Sequence, residues 1–170
     1  MMKIIIAPDK FKGSIDSISL CKAIHKEIVS LYPDAEVLQF PLADGGDGFS
    51  EIIHHYVGTS PVSAQTTDPL GRSIVANYQF SSSNNTAFIE MASASGLALL
   101  APDERNPDKT STYGTGLLIR DAIARGATHI ILGIGGSATT DGGIGMADAL
   151  GFMFLEDRKS TRLNSSHTDI

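Results

Sequence analysis

The chain has one cysteine, Cys21, in 170 residues. No disulfide can form within it, which suits a reducing, cytoplasmic compartment. Cys21 falls among apolar helix positions and reads as a buried filler. Long hydrophobic runs are also missing. No stretch approaches the roughly 20 apolar residues that a membrane span needs. The apolar run after Lys3 stops at Pro8-Asp9, too short for a signal peptide. Basic residues are the minority, 13 against 19 acidic, for a formal charge of −6 with no basic patch. That argues against a nucleic-acid partner, and nothing suggests a membrane partner. It leaves an anionic small molecule open, because local backbone amides outweigh distant, screened charges. A Walker A loop is absent as well, since no Gly-Lys-Ser/Thr follows the glycines.

What is present is 42% apolar residues, enough for a core, and 17 glycines that cluster. The densest cluster follows a short apolar run at 130–132, which reads as a buried strand. It is the loop GIGGSATTDGG at 133–143, and a helix is expected after it, at 144–150. Strand, glycine loop and helix in that order make a good anion site: glycines permit φ > 0 and bring N–H groups near a ligand, and those N–H groups with the helix start favour phosphate. Ser137, Thr139 and Thr140 add hydroxyls. Asp141 adds a carboxylate that can hold Mg²⁺ or cap the helix. A bare turn needs neither five glycines nor three hydroxyls. Gly133, Gly135 and Ala138 also fit the dinucleotide pattern G-x-G-x-x-A, with Glu156 at a spacing that suits a ribose. Against it, Asp141-Gly142-Gly143 interrupts where a Rossmann helix should already be running.

Taken in order, 3–7 (KIIIA) reads as a buried first strand, and 8–14 (PDKFKGS) is a loop at its C-terminal end, where ligands gather in open α/β sheets. Asp16 or Ser17 caps a helix whose apolar stripe is Cys21, Ile24, Ile28 and Leu31. A second strand at 36–40, the loop PLADGGDG and a short helix at 49–56 follow, so the order is β-α-β-α and the class α/β. After Gly58 the pattern alternates. Strands are expected at 59–67, 74–80 and 86–90, with turns at 68–71 and 81–85. Residues 91–100 (MASASGLALL) read as a short helix, 101–110 as an exposed loop, and 112–125 as a helix closed by Gly126. This gives a first segment at 1–58 and a second at 59–157. The tail, 158–170, is polar and aperiodic, reads as disordered, and looks like translated sequencing-adapter read-through rather than native sequence.

Five motifs occur in one order: IIIAPDKFKGS, PLADGGDG, EMASASGLALL, ERNPDKTSTYGTG and GIGGSATTDGGIGMADALG. Together they resemble the glycerate kinase family of the type without a Walker motif. The resemblance runs from Met1 to about Leu155, and family members continue well past that point, so it covers their N-terminal part. It implies two unlike α/β lobes, one of them discontinuous in sequence, with the active site in the cleft between them. It also implies ATP-dependent, Mg²⁺-dependent phosphorylation of D-glycerate, with 2-phosphoglycerate as the favoured product.

Phosphoryl transfer needs a phosphate cradle, a cation for the β- and γ-oxygens, and an oriented nucleophile. The cradle candidates are Gly135, Gly136, Ser137, Thr139 and Thr140. Asp44, Asp47 and Asp141 are the carboxylates in glycine loops at strand ends, with Asp44 favoured as general base and Asp141 as metal ligand. Lys10 and Lys12 are the cations for the substrate carboxylate or a phosphate, and Lys12 and Asp47 join Asp44 as catalytic candidates. Ser14, Ser93, Ser95 and Arg105 are further substrate contacts. A binding module without chemistry and a dinucleotide-dependent oxidoreductase are the competing readings. His54 and His55 are adjacent and diverge on a helix, which argues against a two-histidine metal site.

Overall fold

The computed structural model describes residues 2–46, 48–156 and 162–163. The first segment is a small parallel pair. β1 (Lys3–Ile6) lies beside β2 (Glu36–Gln39), with Lys3 opposite Glu36 and Ile6 opposite Gln39. Helix α1 (Ser17–Leu31) connects them and packs on both. Its N-cap is Asp16, whose carboxylate accepts from the Ser19 N–H at 2.7 Å, satisfying one of the helix's orphan donors. The apolar stripe is only partly used. Cys21 is buried and Ile24 and Ile28 are half-buried, but Leu31 is 72% exposed, because two short strands cannot cover four turns of helix.

Helix α2 (Phe49–Val57) follows and ends at Gly58, φ 67°. The change of character expected near residue 58 falls here, but α2 itself packs on the sheet that comes after it. That sheet has the order β3-β4-β5-β6: β3 (Ser60–Thr67), β4 (Ser73–Ser81) and β5 (Thr86–Glu90) run antiparallel, and β6 (His129–Gly133) joins parallel to β5. The alternation expected at 59–67 and 74–80 is present: Ala64 and Thr66, with Ala76 and Tyr78, point inward. After β5 come a four-residue helix, α3 (Ala92–Ser95), and a 3₁₀ turn at Leu97–Leu99. The loop expected at 101–110 contains two more 3₁₀ turns, Pro102–Glu104 and Pro107–Lys109.

Helix α4 (Tyr113–Ala124) covers the sheet through Leu118, Ile119 and Ala122, against Ala64, Ala76, Tyr78, Ala87 and Ile89. It sits unusually close, because its first turn carries glycine. A Cβ on Gly114 would lie 2.0 Å from the Thr67 carbonyl oxygen, and one on Gly116 would lie 2.5 Å from that of Met146. Thr66 Oγ1 donates to the Gly114 carbonyl at 2.6 Å across the same contact. The last described elements are α5 (Ile144–Ala149), β7 (Leu155–Glu156) and β8 (Arg162–Leu163), the two strands pairing antiparallel. Arg162–Leu163 falls within the tail that the sequence reads as disordered. The rest of 158–170 lies outside the described residues. Among the described residues, no helix is long and apolar enough to cross a membrane.

The glycine contact under α4 is directly testable. Its neighbour is backbone, which cannot rotate away, so Gly114→Ala is expected to lower stability by about 1–3 kcal/mol, as overpacking does. Urea unfolding checks it, and an unchanged midpoint would contradict the packing.

Candidate functional site

Four loops leave the carboxyl ends of β1, β2, β5 and β6, the end of a parallel sheet where ligands bind. They are joined by backbone hydrogen bonds. The Leu42 N–H donates to Pro8 O at 2.9 Å, linking the first two loops. The Gly135 N–H donates to Gly45 O at 3.0 Å, linking the second to the fourth. Met91 N donates to Gly133 O at 2.8 Å, Leu97 N to Gly136 O at 2.9 Å and Ala138 N to Ser95 O at 2.9 Å, linking the third to the fourth. The glycines are there for contact as much as for turning. A Cβ on Gly133 would lie 2.5 Å from Gly45 O, and one on Gly135 would lie 2.5 Å from the Gly46 Cα.

Between these loops lies a cleft of about 320 Å³, at the lower end of the range for small-molecule sites. Lys10 and Lys12 come from the first loop, Asp44 and Gly46 from the second, Ala92, Leu97 and Ala98 from the third and Gly135 and Gly136 from the fourth; Arg105 enters from the 101–110 loop. Among the described residues, three cations and one carboxylate line the cleft. The Asp44 carboxylate accepts from the Gly46 N–H at 2.9 Å through Oδ1. Its Oδ2 has no partner among the described residues. In the fourth loop, Gly135 N and Ala138 N are taken by carbonyls, whereas the amides of Gly136 and Ser137 have no partner among the described residues. Such consecutive free N–H groups are what binds an anion.

Of the expected site residues, the structure gathers Lys10, Lys12, Asp44, Arg105, Gly135 and Gly136 at the cleft. Ser14 lines an adjoining open recess of about 260 Å³ with Lys10 and Lys12. Asp47 lies outside the described residues. The others are turned to structural work. Ser93 Oγ donates to the Glu90 carbonyl at 2.7 Å. Ser95 is fully buried and its Oγ bonds Thr115 Oγ1 at 2.7 Å, fastening α3 to α4. Ser137 Oγ meets Thr139 Oγ1 at 2.7 Å and accepts from the Thr139 N–H at 3.1 Å. Thr140 Oγ1 donates to Pro107 O at 3.4 Å.

Asp141, for which the sequence leaves both a metal and a cap role open, stands apart from the cleft residues. It does not line the cleft; it is a cap. Oδ2 accepts from Thr112 N at 2.8 Å, Thr112 Oγ1 at 2.8 Å and Gly145 N at 3.1 Å, and Oδ1 accepts from Gly143 N at 3.2 Å. Burial pushes its pKa up, but the bonds from Thr112, Gly143 and Gly145 outweigh burial and hold it below the ordinary carboxylate value. Both of its oxygens are engaged by these bonds. Among the described residues, no group of three or more His, Cys, Asp and Glu can hold a metal. His54 Nδ1 is bonded to Thr59 O at 2.8 Å and His55 stacks edge-on to Tyr56, so the two histidines do diverge.

Ala92, Leu97 and Ala98 are cleft residues that the sequence reading passes over, because it weighs polar side chains. The motif that contains them, EMASASGLALL, was the available signal.

The family model described as the glycerate kinase family matches residues 4–168. The chain belongs to the glycerate kinase family. It is 47% identical over 150 residues to the glycerate 2-kinase of Escherichia coli, covering 88% of this chain and 39% of that protein. It is 45% identical over 157 residues to a glycerate kinase of Bacillus cereus, covering 92% and 41%. A solved structure assigned as a glycerate kinase 2 from Salmonella typhimurium LT2 matches with a TM-score of 0.75 at 47% identity, covering 93% of this chain and 42% of that one. The chain thus spans about two-fifths of the length of these relatives. The mixed α/β fold agrees with that membership.

The Asp141 cap sets a pH-dependent expectation. Asp141→Asn puts an amide N–H₂ opposite a backbone N–H and should lower stability by about 1–3 kcal/mol at neutral pH. A depressed native pKa contributes stability that is complete above the unfolded value of about 3.9 and is lost as pH falls through the native one. The gap between the parent and the variant, read by urea unfolding, should therefore hold from pH 7 down to about 4 and narrow below it.

Proposed function

We propose that this family member catalyses transfer of the ATP γ-phosphoryl group to a hydroxyl of D-glycerate, with 2-phosphoglycerate as the favoured product. The observation that carries this is the cleft itself: Lys10, Lys12 and Arg105 beside Asp44 and the glycine amides of the fourth loop. A hydroxy acid and a triphosphate both bring negative charge, and the reaction needs that charge held and one hydroxyl deprotonated. The E. coli and B. cereus relatives named for glycerate phosphorylation support the substrate class.

In this reading Lys10 and Arg105 hold the substrate carboxylate. Lys12 meets the transferring phosphoryl group, and the Gly135–Gly136 segment offers amide N–H groups to the phosphates. Asp44 takes the proton of the attacking hydroxyl on Oδ2, while the Gly46 N–H bond to Oδ1 fixes the carboxylate's orientation. Mg²⁺ fits this site as an ion that arrives with the nucleotide, since it commonly keeps several waters and takes one or two carboxylates plus substrate phosphates. It would neutralise phosphate oxygens and be held mainly by them and by water, which leaves Asp44 Oδ2 for the hydroxyl proton. Ser14 serves the substrate from the adjoining recess. Ser137, Thr139 and Thr140 serve the nucleotide by shaping the loop rather than by direct contact.

The dinucleotide reading loses its geometric basis. A Rossmann helix should begin as the glycine pattern ends, yet Ser137 bridges to Gly96 and α5 starts only at Ile144.

D-Glycerate-dependent ADP release, followed by a coupled assay on the full-length protein, tests the proposal. Asp44→Asn is expected to cut kcat by about 100-fold or more, the usual contribution of a general base. Lys12→Ala should lower kcat/KM for both substrates. Binding of ATP–Mg²⁺ without D-glycerate-dependent turnover would favour a module without chemistry. Full turnover in both variants would refute the role assignment while leaving the family intact.

A further inference from the structure

Arg105 is the cleft cation with the least obvious support. It sits in an irregular loop and makes no hydrogen bond or ion pair among the described residues. The residue before it, however, is anchored. Glu104 is bound by the guanidinium of Arg72 through a fork, Nη1 to Oε1 at 2.6 Å and Nη2 to Oε2 at 3.3 Å. Glu104 Oε2 also accepts from the Ala101 N–H at 3.0 Å, closing the 3₁₀ turn that ends just before Arg105. Arg72 is in turn held by Asp68, a carboxylate only 4% exposed, through its Nε. The Asp68 carboxylate also accepts from the backbone N–H groups of Leu70 and Arg72, each at 2.9 Å. This line of charges therefore starts on the β3–β4 turn, which is closed by Asp68 N to Arg72 O at 2.8 Å and Gly71 N to Asp68 O at 3.0 Å, and ends beside the cleft. On the far side of Arg105 the loop is tied again, where Thr110 Oγ1 donates to Ala138 O at 2.7 Å in the glycine loop.

We propose that Arg72 and Glu104 are positioning residues for the anionic substrate: they fix the 101–105 turn so that Arg105 is presented to the cleft. Planar, bidentate Arg–carboxylate pairing fixes direction as well as distance, and a preformed cation needs less ordering when the ligand arrives. The turn belongs to no helix longer than three residues and to no strand. Its backbone bonds are few, Glu104 N to Ala101 O at 3.0 Å and Asn106 N to Glu104 O at 2.9 Å, so the side-chain contacts add to what holds it. The inference rests on the substrate reading above, because Arg105 acts here on a bound carboxylate.

The test is a double-mutant cycle on the full-length protein, with D-glycerate and ATP varied separately. Glu104→Gln keeps the Asp68–Arg72 pair, so it perturbs the fold least; Arg72→Ala is the stronger variant, and both are checked by thermal melting. Each should raise KM for D-glycerate roughly three- to tenfold, the span of a coupling between paired charges, with kcat and KM for ATP within about twofold of the parent. Combined with Arg105→Ala, neither should add a further rise. Rises that multiply in the double variants, or an equal rise in KM for ATP, would overturn the positioning role and leave the substrate reading standing. No D-glycerate-dependent turnover in the parent would overturn the substrate reading, and this inference with it.

Discussion

Two backbones touch at the centre of this structure, and the cleft exists because they do. The loop after β2 lies against the loop after β6, joined by the hydrogen bond from Gly135 N to Gly45 O. Among the described residues no strand pairing links the β1–β2 pair to the four-stranded sheet. Their union rests on this contact and on the bonds around α2, where Ser50 N donates to Glu90 Oε1 at 2.6 Å and Tyr56 OH to Pro41 O at 3.0 Å. Any side chain at 133 or 135 would force the loops apart. Asp44, one residue before the contact, would then move away from Gly136 and the lysines.

This contact explains why the glycine-rich loop has a double character. Some of its glycines admit the neighbouring backbone; others leave amides unpaired beside the cleft. Its hydroxyls and Asp141 stiffen it, through the Ser137–Thr139 pair, the Thr140 bond to Pro107 and the cap that Asp141 places over the starts of α4 and α5. A loop that must offer N–H groups to a ligand without rearranging has to be held from behind, and these side chains do that.

Charge follows the same division. The lysines and Arg105 line the cleft, while Asp68 and Asp141 are engaged by bonds away from it. Asp68 shows how: burial pushes its pKa up, and the bonds from Arg72 and Leu70 outweigh that and keep it below the ordinary carboxylate value. In a chain of net charge −6, Asp68 and Asp141 are thus spent on arginine, threonine and backbone N–H groups rather than on the cleft.

The order of strands and helices was legible because its signals are local. Alternation marked β3 and β4, capping marked α1, and Gly58 and Gly126 marked helix ends within a residue or two. The identity of the loops that carry chemistry was legible too, since glycine runs at strand ends are visible without coordinates. What the sequence could not determine is which polar residues in those loops face the cleft. Asp44 and Asp141 look alike as text, each in an Asp-Gly-Gly run. Only the packing of α4 and α5 around Thr112 makes one a saturated cap, while the contact of Gly45 with Gly135 leaves the other beside three cations. That choice depends on residues distant in sequence, so it is made by tertiary structure.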